Sequence, residues 1–194
     1  MNKKMSGILL AGGESSRMGE DKAFMIYGGK ELYRYPLEIL EYFCDEIIIS
    51  SDNKTFNNTA YKKYPDKKPG LGPLGGLFTC LNKIQNNYAI VLSCDTPGID
   101  IECINELVQL TDKQSIIVGF NADEKPEALV GIYNKNCILS IGSLINSGNY
   151  RMSELLKIED TYYHKFSYPE TKLRRIFFNI NTKEDYKKLM QNGI

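Results

Sequence analysis

Short apolar runs alternate with amphipathic stretches along most of the chain. Residues 7–11 form a continuous apolar run that stops at paired glycines, which is typical of a buried strand. Residues 46–50, rich in β-branched side chains, and residues 88–93 predict two further strands. Weaker strand patterns follow at residues 115–120, 128–133, 162–166 and 175–178.

Helical periodicity separates these strands. Between residues 72 and 81, apolar side chains recur at i, i+3, i+4 and i+7, which predicts a helix directly after Gly72-Pro73. Thr182 followed by Asp185 is a capping signal, so the last helix is predicted to begin there and to end near Met190. Similar spacing predicts other helices near residues 32–43, 101–108, 138–145 and 152–158.

Strands that alternate with helices predict crossover connections and a mostly parallel sheet covered on both faces. The predicted fold class is therefore α/β, a three-layer α/β/α arrangement of the Rossmann-like kind. At 194 residues the chain is long enough for one well-buried core, and we predict a single domain over residues 1–194. Ligands of such folds bind beyond the carboxyl ends of the strands, so loops 12–22 and 94–98 are expected to share one crevice.

Composition argues against several classes of partner. Lys and Arg total 24, as do Asp and Glu, so no overall positive field favours nucleic acid. No stretch approaches the roughly 20 apolar residues of a membrane span, and the N-terminus lacks the apolar core of a signal peptide. The 5 cysteines are scattered and predict small core residues in a reducing cytosol. We therefore predict a cytoplasmic protein that binds neither nucleic acid nor membrane.

The segment after the first predicted strand carries the strongest chemical signal. It runs from Leu10 to Lys22 and reads Leu-Ala-Gly-Gly-Glu-Ser-Ser-Arg-Met-Gly-Glu-Asp-Lys. Glycines let the backbone approach a phosphate or base and let amide groups form an anion nest. Arg17 and Lys22 add positive charge where a triphosphate would lie. The spacing fits neither the P-loop nor the dinucleotide-binding pattern.

A carboxylate follows the strand at 88–93 in the sequence Cys94-Asp95-Thr96-Pro97. Placed at a strand end, Asp95 can hold Mg²⁺, which prefers oxygen ligands and usually keeps waters and substrate phosphates. An Asp-x-Pro sequence after a strand is also typical of a turn or a helix cap. On the residues alone, both interpretations stay open.

Glycines surround the start of the helix predicted after Gly72-Pro73. A helix N-terminus favours anions or polar base edges, and the glycines at 70–76 permit close backbone approach. Close packing of this helix on a strand is the alternative interpretation. Gly72, Pro73 and Gly76 are therefore candidates for nucleotide contacts.

Two asparagines near the C-terminus lie in the sequence Phe178-Asn179-Ile180-Asn181-Thr182. On a strand their side chains would point to one face, because the side-chain period is two. In a crevice they could hydrogen-bond a polar acceptor molecule. A helix cap at Thr182 is compatible with that role.

The four motifs together resemble a known family. The first looks like the signature Leu-x-Gly-Gly-x-x-x-Arg-Met-Gly-x-x-Lys of GT-A-like nucleotidyltransferases, and the Phe-x-Asn-x-Asn-Thr ending resembles the molybdenum cofactor guanylyltransferases. The matches run in order from Leu10 to Thr182 and cover nearly the whole chain. The resemblance implies Mg²⁺-dependent transfer of GMP from GTP to the phosphate of Mo-molybdopterin, with pyrophosphate as the second product. It also implies transient contact with molybdenum cofactor maturation proteins.

The resemblance further implies roles for individual residues. Arg17, Lys22 and Asp95 are implied as catalytic, with Asp95 as the Mg²⁺ ligand. A nucleotide-binding half at about 1–100 and an acceptor-binding half at about 101–194 are also implied. The implied nucleotide contacts are Leu10, Ala11, Gly12, Gly13, Lys22, Ser50, Asp66, Gly72, Pro73, Gly76 and Asp95, and the implied acceptor contacts are Arg151, Asn179 and Asn181.

Three other interpretations stay open: CMP transfer to molybdopterin, nucleotide transfer to a sugar or polyol phosphate, and a catalytically silent nucleotide-binding protein. Paired Gly12-Gly13 and the Asn179/Asn181 ending favour guanine and molybdopterin. Ser50 departs from the asparagine expected at its position. The lone His164 is predicted to be a surface or packing residue, not a catalytic one.

Overall fold

The computed structural model describes residues 4–12, 21–65, 70–111 and 114–193. The strands are β1 (Ser6–Leu10), β2 (Ile26–Tyr27), β3 (Lys30–Glu31), β4 (Glu46–Ser50), β5 (Lys62–Tyr64), β6 (Tyr88–Ser93), β7 (Ile116–Phe120), β8 (Pro126–Asn134) and β9 (Thr161–His164). The helices are α1 (Arg34–Phe43), α2 (Gly72–Leu81), α3 (Ile101–Gln109), α4 (Ile138–Asn146), α5 (Met152–Ile158), α6 (Glu170–Ile176) and α7 (Lys183–Asn192). Short 3-10 turns lie at Lys22–Phe24, Lys54–Asn58 and Lys135–Cys137.

A seven-stranded sheet runs through the molecule in the order β5-β4-β1-β6-β8-β7-β9. Strands β5, β4, β1 and β6 are parallel, β8 is antiparallel to both of its neighbours, and β7 and β9 are parallel. The register sets Leu10 between Ser50 and Ser93, so the carboxyl ends of β1, β4 and β6 form one row. The predicted α/β class with a mostly parallel sheet is confirmed.

Helices cover both faces of this sheet because buried parallel strands are apolar on both sides. On one face, strand residues pack with α2 in a cluster that includes Ile8, Ile48, Val91, Leu74 and Leu77. On the other face, strand residues pack with α1 and α3 in a cluster that includes Leu9, Ile49, Leu92, Leu40 and Leu107. Four cysteines are buried and Cys44 is partly buried, as predicted for small core residues.

Within the residues that the structure describes, no helix combines the length and the hydropathy that a bilayer crossing requires.

The lone His164 lies on β9, where its Nε2 atom is 2.8 Å from Oε2 of Glu106 on α3. Its side chain is therefore partnered and partly buried, as predicted for a packing residue.

The strand predicted at residues 175–178 is wrong, since α6 occupies Glu170–Ile176. Leu173 and Ile176 are three residues apart and face the core, which is helical spacing. Arg174 also pairs with Glu170 across one helical turn, with 2.8 Å between Nη2 and Oε1. The segment is too short for its helical period to stand out from a strand pattern.

Helix α7 is capped by Thr182, as predicted, and extends to Asn192, slightly beyond the predicted end. The Thr182 Oγ1 atom accepts a hydrogen bond from the Asp185 amide at 3.1 Å. The Asp185 carboxylate accepts in return from the Thr182 amide at 2.9 Å. This capping box satisfies backbone donors that a helix start would otherwise leave unpaired.

Removing the cap should therefore weaken the C-terminal helix. For Thr182→Ala we expect the free energy of unfolding to fall by about 1 kcal/mol, measured by urea denaturation. Thr182→Ser is the matched control, because serine keeps the hydroxyl that accepts from Asp185. Equal urea midpoints for the Ala and Ser variants would show that the cap contributes nothing.

Candidate active site

A cavity of about 790 Å³ opens at the carboxyl ends of β1, β4 and β6, between the sheet and the start of α2. Both loops that were expected to meet line this cavity. Gly12 and Lys22 belong to one loop, and Asp95 belongs to the other. The expectation that these loops share one crevice is confirmed. Residues predicted from the sequence that line it are Leu10, Ala11, Gly12, Lys22, Ser50, Gly72, Pro73, Gly76, Asp95 and Asn181. Gly13, Arg17 and Asp66 lie outside the described residues.

Strand register explains why the cavity has polar walls beside a hydrophobic core. Leu10, Ser50 and Ser93 lie side by side on neighbouring strands, and all three line the cavity. Two residues earlier on each strand, the side chains on the same face pack against α2. The core therefore ends at the last strand residues, and the space beyond them is left for a ligand.

Lys22 and Asp95 meet at the edge of this cavity. The Lys22 Nζ atom lies 2.5 Å from Oδ2 of Asp95, and the two side chains are only 21% and 9% exposed. Burial by itself lowers the pKa of Lys22, but the charge and hydrogen bond of Asp95, together with Cys94 and Asp21, outweigh burial, and the net result is a raised pKa. Lys22 is therefore a permanently charged ammonium at neutral pH.

The 3-10 turn that carries Lys22 is anchored by neighbouring side chains. Asp21 Oδ1 caps it by accepting from the Ala23 amide at 3.1 Å, and Ala23 is fully buried. The Phe24 ring packs against Phe56, with 4.8 Å between the ring centroids. These contacts hold the backbone of Lys22 in place while its ammonium points to Asp95.

Asn53 is a cavity residue that the sequence analysis missed. It lines the cavity together with Ser50, the position where an asparagine was expected. Its Nδ2 atom donates to Asp21 Oδ2 at 2.6 Å, and its Oδ1 accepts from the Thr55 amide at 2.9 Å. The side-chain amide expected at the end of β4 is thus present three residues later, in the loop that follows.

A backbone hydrogen bond connects the segment of the C-terminal asparagines to the site. The Ile180 amide donates to the backbone oxygen of Asp95 at 2.9 Å, and the buried Ile180 side chain packs with Leu32 and Leu189. Asn181 lines the cavity, while Asn179 Oδ1 accepts from Thr96 Oγ1 at 3.1 Å. The assumption that both asparagines lie on a strand is wrong, because residues 177–181 form no strand.

Arg151 lies on a different wall from the two asparagines. It is exposed, precedes α5, and lines a second cavity of about 610 Å³ together with Gly70, Gly72 and Tyr150. Gly70 and Gly72 also line the first cavity, so the two spaces adjoin at the glycine loop. The structure therefore places Arg151 beside the loop before α2, not beside Asn179.

A family model described as a MobA-like NTP transferase domain matches residues 7–165. The chain belongs to the MobA-like NTP transferase family. It is 32% identical over 193 residues to a probable molybdenum cofactor guanylyltransferase of Clostridium perfringens, with 97% of each sequence covered. It is also 32% identical over 196 residues to a protein of the same description from Bacillus subtilis, covering 98% of this chain and 96% of that one.

The fold is shared with solved structures. Molybdopterin-guanine dinucleotide biosynthesis protein A from Archaeoglobus fulgidus superposes with a TM-score of 0.79 at 22% identity, covering 96% of this chain and 97% of that one. The family match and the full-length relatives show that this MobA-like protein is an enzyme, a nucleotidyltransferase.

A further residue of this transferase escaped sequence-based prediction. Glu127, near the start of β8, accepts a hydrogen bond at Oε1 from Asn121 Nδ2 at 2.6 Å. Burial raises the pKa of Glu127, hydrogen bonds from Asn121 and Asn179 oppose that rise, and the nearby charge of Asp95 adds to it. No motif marks Glu127, since a single acidic residue after a proline at a strand start is common on protein surfaces.

The donor set of this NTP transferase fits a magnesium ion shared with a nucleotide. Among the described residues, no group of three His, Cys, Asp or Glu side chains forms a protein metal cage. Asp95 offers one carboxylate at the cavity edge, and Asn181 lines the same cavity with an amide oxygen. Mg²⁺ is usually held by one or two carboxylates together with waters and substrate phosphates. A single carboxylate is therefore sufficient when a triphosphate supplies the remaining ligands.

Proposed function

We propose that this enzyme transfers GMP from GTP to the phosphate of Mo-molybdopterin, with Mg²⁺, to form molybdopterin guanine dinucleotide and pyrophosphate. The observation that carries the proposal is the 2.5 Å contact between Lys22 Nζ and Asp95 Oδ2, which brings the segments that follow β1 and β6 together at one cavity. The relatives from Clostridium perfringens and Bacillus subtilis are described as probable molybdenum cofactor guanylyltransferases, which supports a guanine nucleotide and the molybdenum cofactor as the substrate classes.

The reaction needs little covalent help from the protein. The acceptor phosphate is already anionic at neutral pH, so one of its oxygens can attack the α-phosphorus of GTP without a general base. A new P–O bond forms as the bond to the β-phosphate oxygen breaks, and pyrophosphate leaves with the electron pair. Catalysis then depends on in-line positioning and on stabilising negative charge.

Charged and polar groups of the chain supply that stabilisation. The Lys22 ammonium is charged before the reaction and can turn from Asp95 to contact triphosphate oxygens as charge moves onto pyrophosphate. Asp95 would hold Mg²⁺, which when bound neutralises phosphate charge and orients the triphosphate. Arg17, in the glycine-rich segment that ends at Lys22, is proposed to add a forked contact to phosphate oxygens.

The nucleotide is proposed to lie against the glycine-rich walls. Gly72 has a φ of +58°, a backbone conformation that residues other than glycine rarely adopt, and a Cβ there would meet nothing within 4 Å. The backbone thus stays open at the positive end of the ten-residue helix α2, which favours a phosphate or a polar base edge. Ser50 and Asn53 extend this surface along the end of β4.

We further propose one domain with two roles, acting in the cytoplasm and in transient contact with cofactor maturation proteins. Most of the cavity walls come from the first half of the chain, and the second half contributes Leu129 and Asn181. This distribution supports nucleotide binding by the first half and acceptor binding by the second.

Pyrophosphate release with each of GTP, CTP, ATP and UTP, in the presence of Mg²⁺ and Mo-molybdopterin, tests the proposal. Of the four nucleotides, we expect only GTP to give pyrophosphate. We also expect GTP to raise the melting temperature selectively, because a ligand that binds only the folded state stabilises it. Selective release with CTP would indicate a cytidylyltransferase. Release with GTP only when a sugar or polyol phosphate replaces molybdopterin would indicate a different acceptor. Stabilisation by a nucleotide without release under any condition would indicate a silent binding protein.

A further inference from the structure

Glu127 lies beside the cavity, at the start of β8. Strand β8 runs antiparallel to β6 with Leu92 opposite Val130, so the start of β8 lies beside the end of β6, where Asp95 follows. Glu127 is two residues before Leu129, and side chains two apart on a strand share a face. Leu129 lines the cavity, so Glu127 lies on the same face of β8, next to the cavity edge that Leu129 and Asp95 form.

The Glu127 carboxylate is held in a fixed orientation by neutral amides. Asn121 donates to it from Nδ2 at 2.6 Å. The Asn121 amide cannot flip without loss, because its Oδ1 accepts from the backbone amides of Asp123 at 2.9 Å and Lys125 at 3.0 Å. A hydrogen bond from Asn179 lowers the pKa of Glu127, and Asn179 Oδ1 accepts from Thr96, the residue after Asp95, so Glu127 lies near the segment that carries the proposed acceptor contacts.

This carboxylate has acceptor capacity that the protein does not fill. An ionised carboxylate offers about four lone-pair sites, and the two amides use only part of them. Among the described residues, the charge that acts on Glu127 is that of Asp95, which is a like charge. A partly buried acceptor beside another carboxylate is stabilised when a ligand brings hydrogen-bond donors to it.

We propose that Glu127 binds N–H groups of the pterin ring of the acceptor. The ring N–H and the exocyclic amino group on the pyrimidinone edge of a pterin form a planar pair of donors that matches a carboxylate. This inference rests on the proposed function, which supplies a pterin as acceptor. Guanine carries the same kind of edge, but the proposed nucleotide walls are the glycines before α2 and the ends of β1 and β4, whereas Glu127 lies near Asn179.

Glu127→Gln tests the assignment, because glutamine keeps the shape but loses one acceptor and the charge. We expect the KM for Mo-molybdopterin to rise about 10- to 100-fold, as loss of a hydrogen bond to a charged group does. The KM for GTP, the GTP-induced shift in melting temperature and the affinity for Mn²⁺, measured by its EPR signal, should stay unchanged. Quenching of the fluorescence of a soluble pterin should need higher protein concentrations for this variant than for the wild type.

Glu124→Gln is the matched control. Glu124 lies on the exposed turn three residues earlier and its carboxylate pairs with Lys165 on the surface, so the substrate constants of Glu124→Gln should equal those of the wild type. A urea midpoint close to that of the wild type checks that Glu127→Gln still folds.

Each alternative role of Glu127 gives a different result. An equal rise in the KM for GTP would assign Glu127 to guanine, and weaker Mn²⁺ binding would assign it to the metal. If the variant is active, and its KM values and its quenching of pterin fluorescence equal those of the wild type, the pterin assignment is refuted and the proposed function is not. A wild-type protein that releases no pyrophosphate from GTP and Mo-molybdopterin would instead refute the proposed function.

Discussion

Asp95→Asn is expected to abolish turnover while the fold survives. The substitution keeps the size of the side chain but removes the carboxylate charge that would hold Mg²⁺ against the triphosphate. Loss of a charge that stabilises the transition state costs on the order of 10²- to 10³-fold in kcat, and loss of the metal site adds to that. Pyrophosphate release at saturating GTP and Mo-molybdopterin measures the effect, with circular dichroism as the check on folding.

The same substitution should also lower the pKa of Lys22. The Asp95 charge raises the pKa of Lys22 whereas burial lowers it, so the variant should have a lower Lys22 pKa than the wild type. Asp45→Asn is a suitable control, since Asp45 is an exposed residue just before β4, at the opposite end of the strands. Wild-type activity in Asp95→Asn would defeat the assignment of Asp95 as the metal ligand.

Lys22→Ala is expected to lower kcat by about 10²-fold or more, because a fixed positive charge near the developing pyrophosphate charge is lost. If Lys22 contacts the triphosphate mainly in the transition state, kcat and kcat/KM should fall together while the KM for GTP changes little. Steady-state rates of pyrophosphate release at varied GTP concentration give both constants.

Lys54→Ala serves as the control for the loss of a lysine near the site. Lys54 is exposed, and it lies in the 3-10 turn that directly follows the cavity residue Asn53. Its removal should leave both constants as they are in the wild type. An unchanged rate in Lys22→Ala, with the Lys54 control also unchanged, would remove Lys22 from the mechanism.

The Lys22–Asp95 pair also indicates what happens when substrate binds. A carboxylate that is 9% exposed is costly to bury without a cation, and Lys22 is the described residue that neutralises it. A bound Mg²⁺ would supply this neutralisation, so in the proposed reaction we expect the Lys22 ammonium to turn to the triphosphate. One buried charge can thus be balanced both with and without the nucleotide.

The pattern of apolar residues was sufficient to predict the centre of the fold. The strands at Glu46–Ser50 and Tyr88–Ser93 match their predicted bounds, because buried parallel strands are continuous apolar runs that end abruptly. Helix α2 and the Thr182 cap were also predicted, since helical spacing and capping depend on residues within one or two turns. The meeting of Lys22 and Asp95 followed from the rule that ligands lie at the carboxyl ends of the strands.

Other parts of the site depend on contacts between distant segments. Helix α6 was mistaken for a strand, because in a seven-residue segment the helical and strand periods are hard to separate. The loop that carries Asn53 also follows no simple period, so its entry into the cavity could not be inferred from spacing.

Local sequence therefore determined the buried strands, most of the helices and the motif residues, since their signals repeat within a few residues. The tertiary structure decided which side chains join them: the Ile180 amide reaches the backbone oxygen of Asp95, and Glu127 comes beside Asn179 and Asp95. Such contacts follow from strand order and from the packing of Ile180 under α7, and these depend on the whole chain.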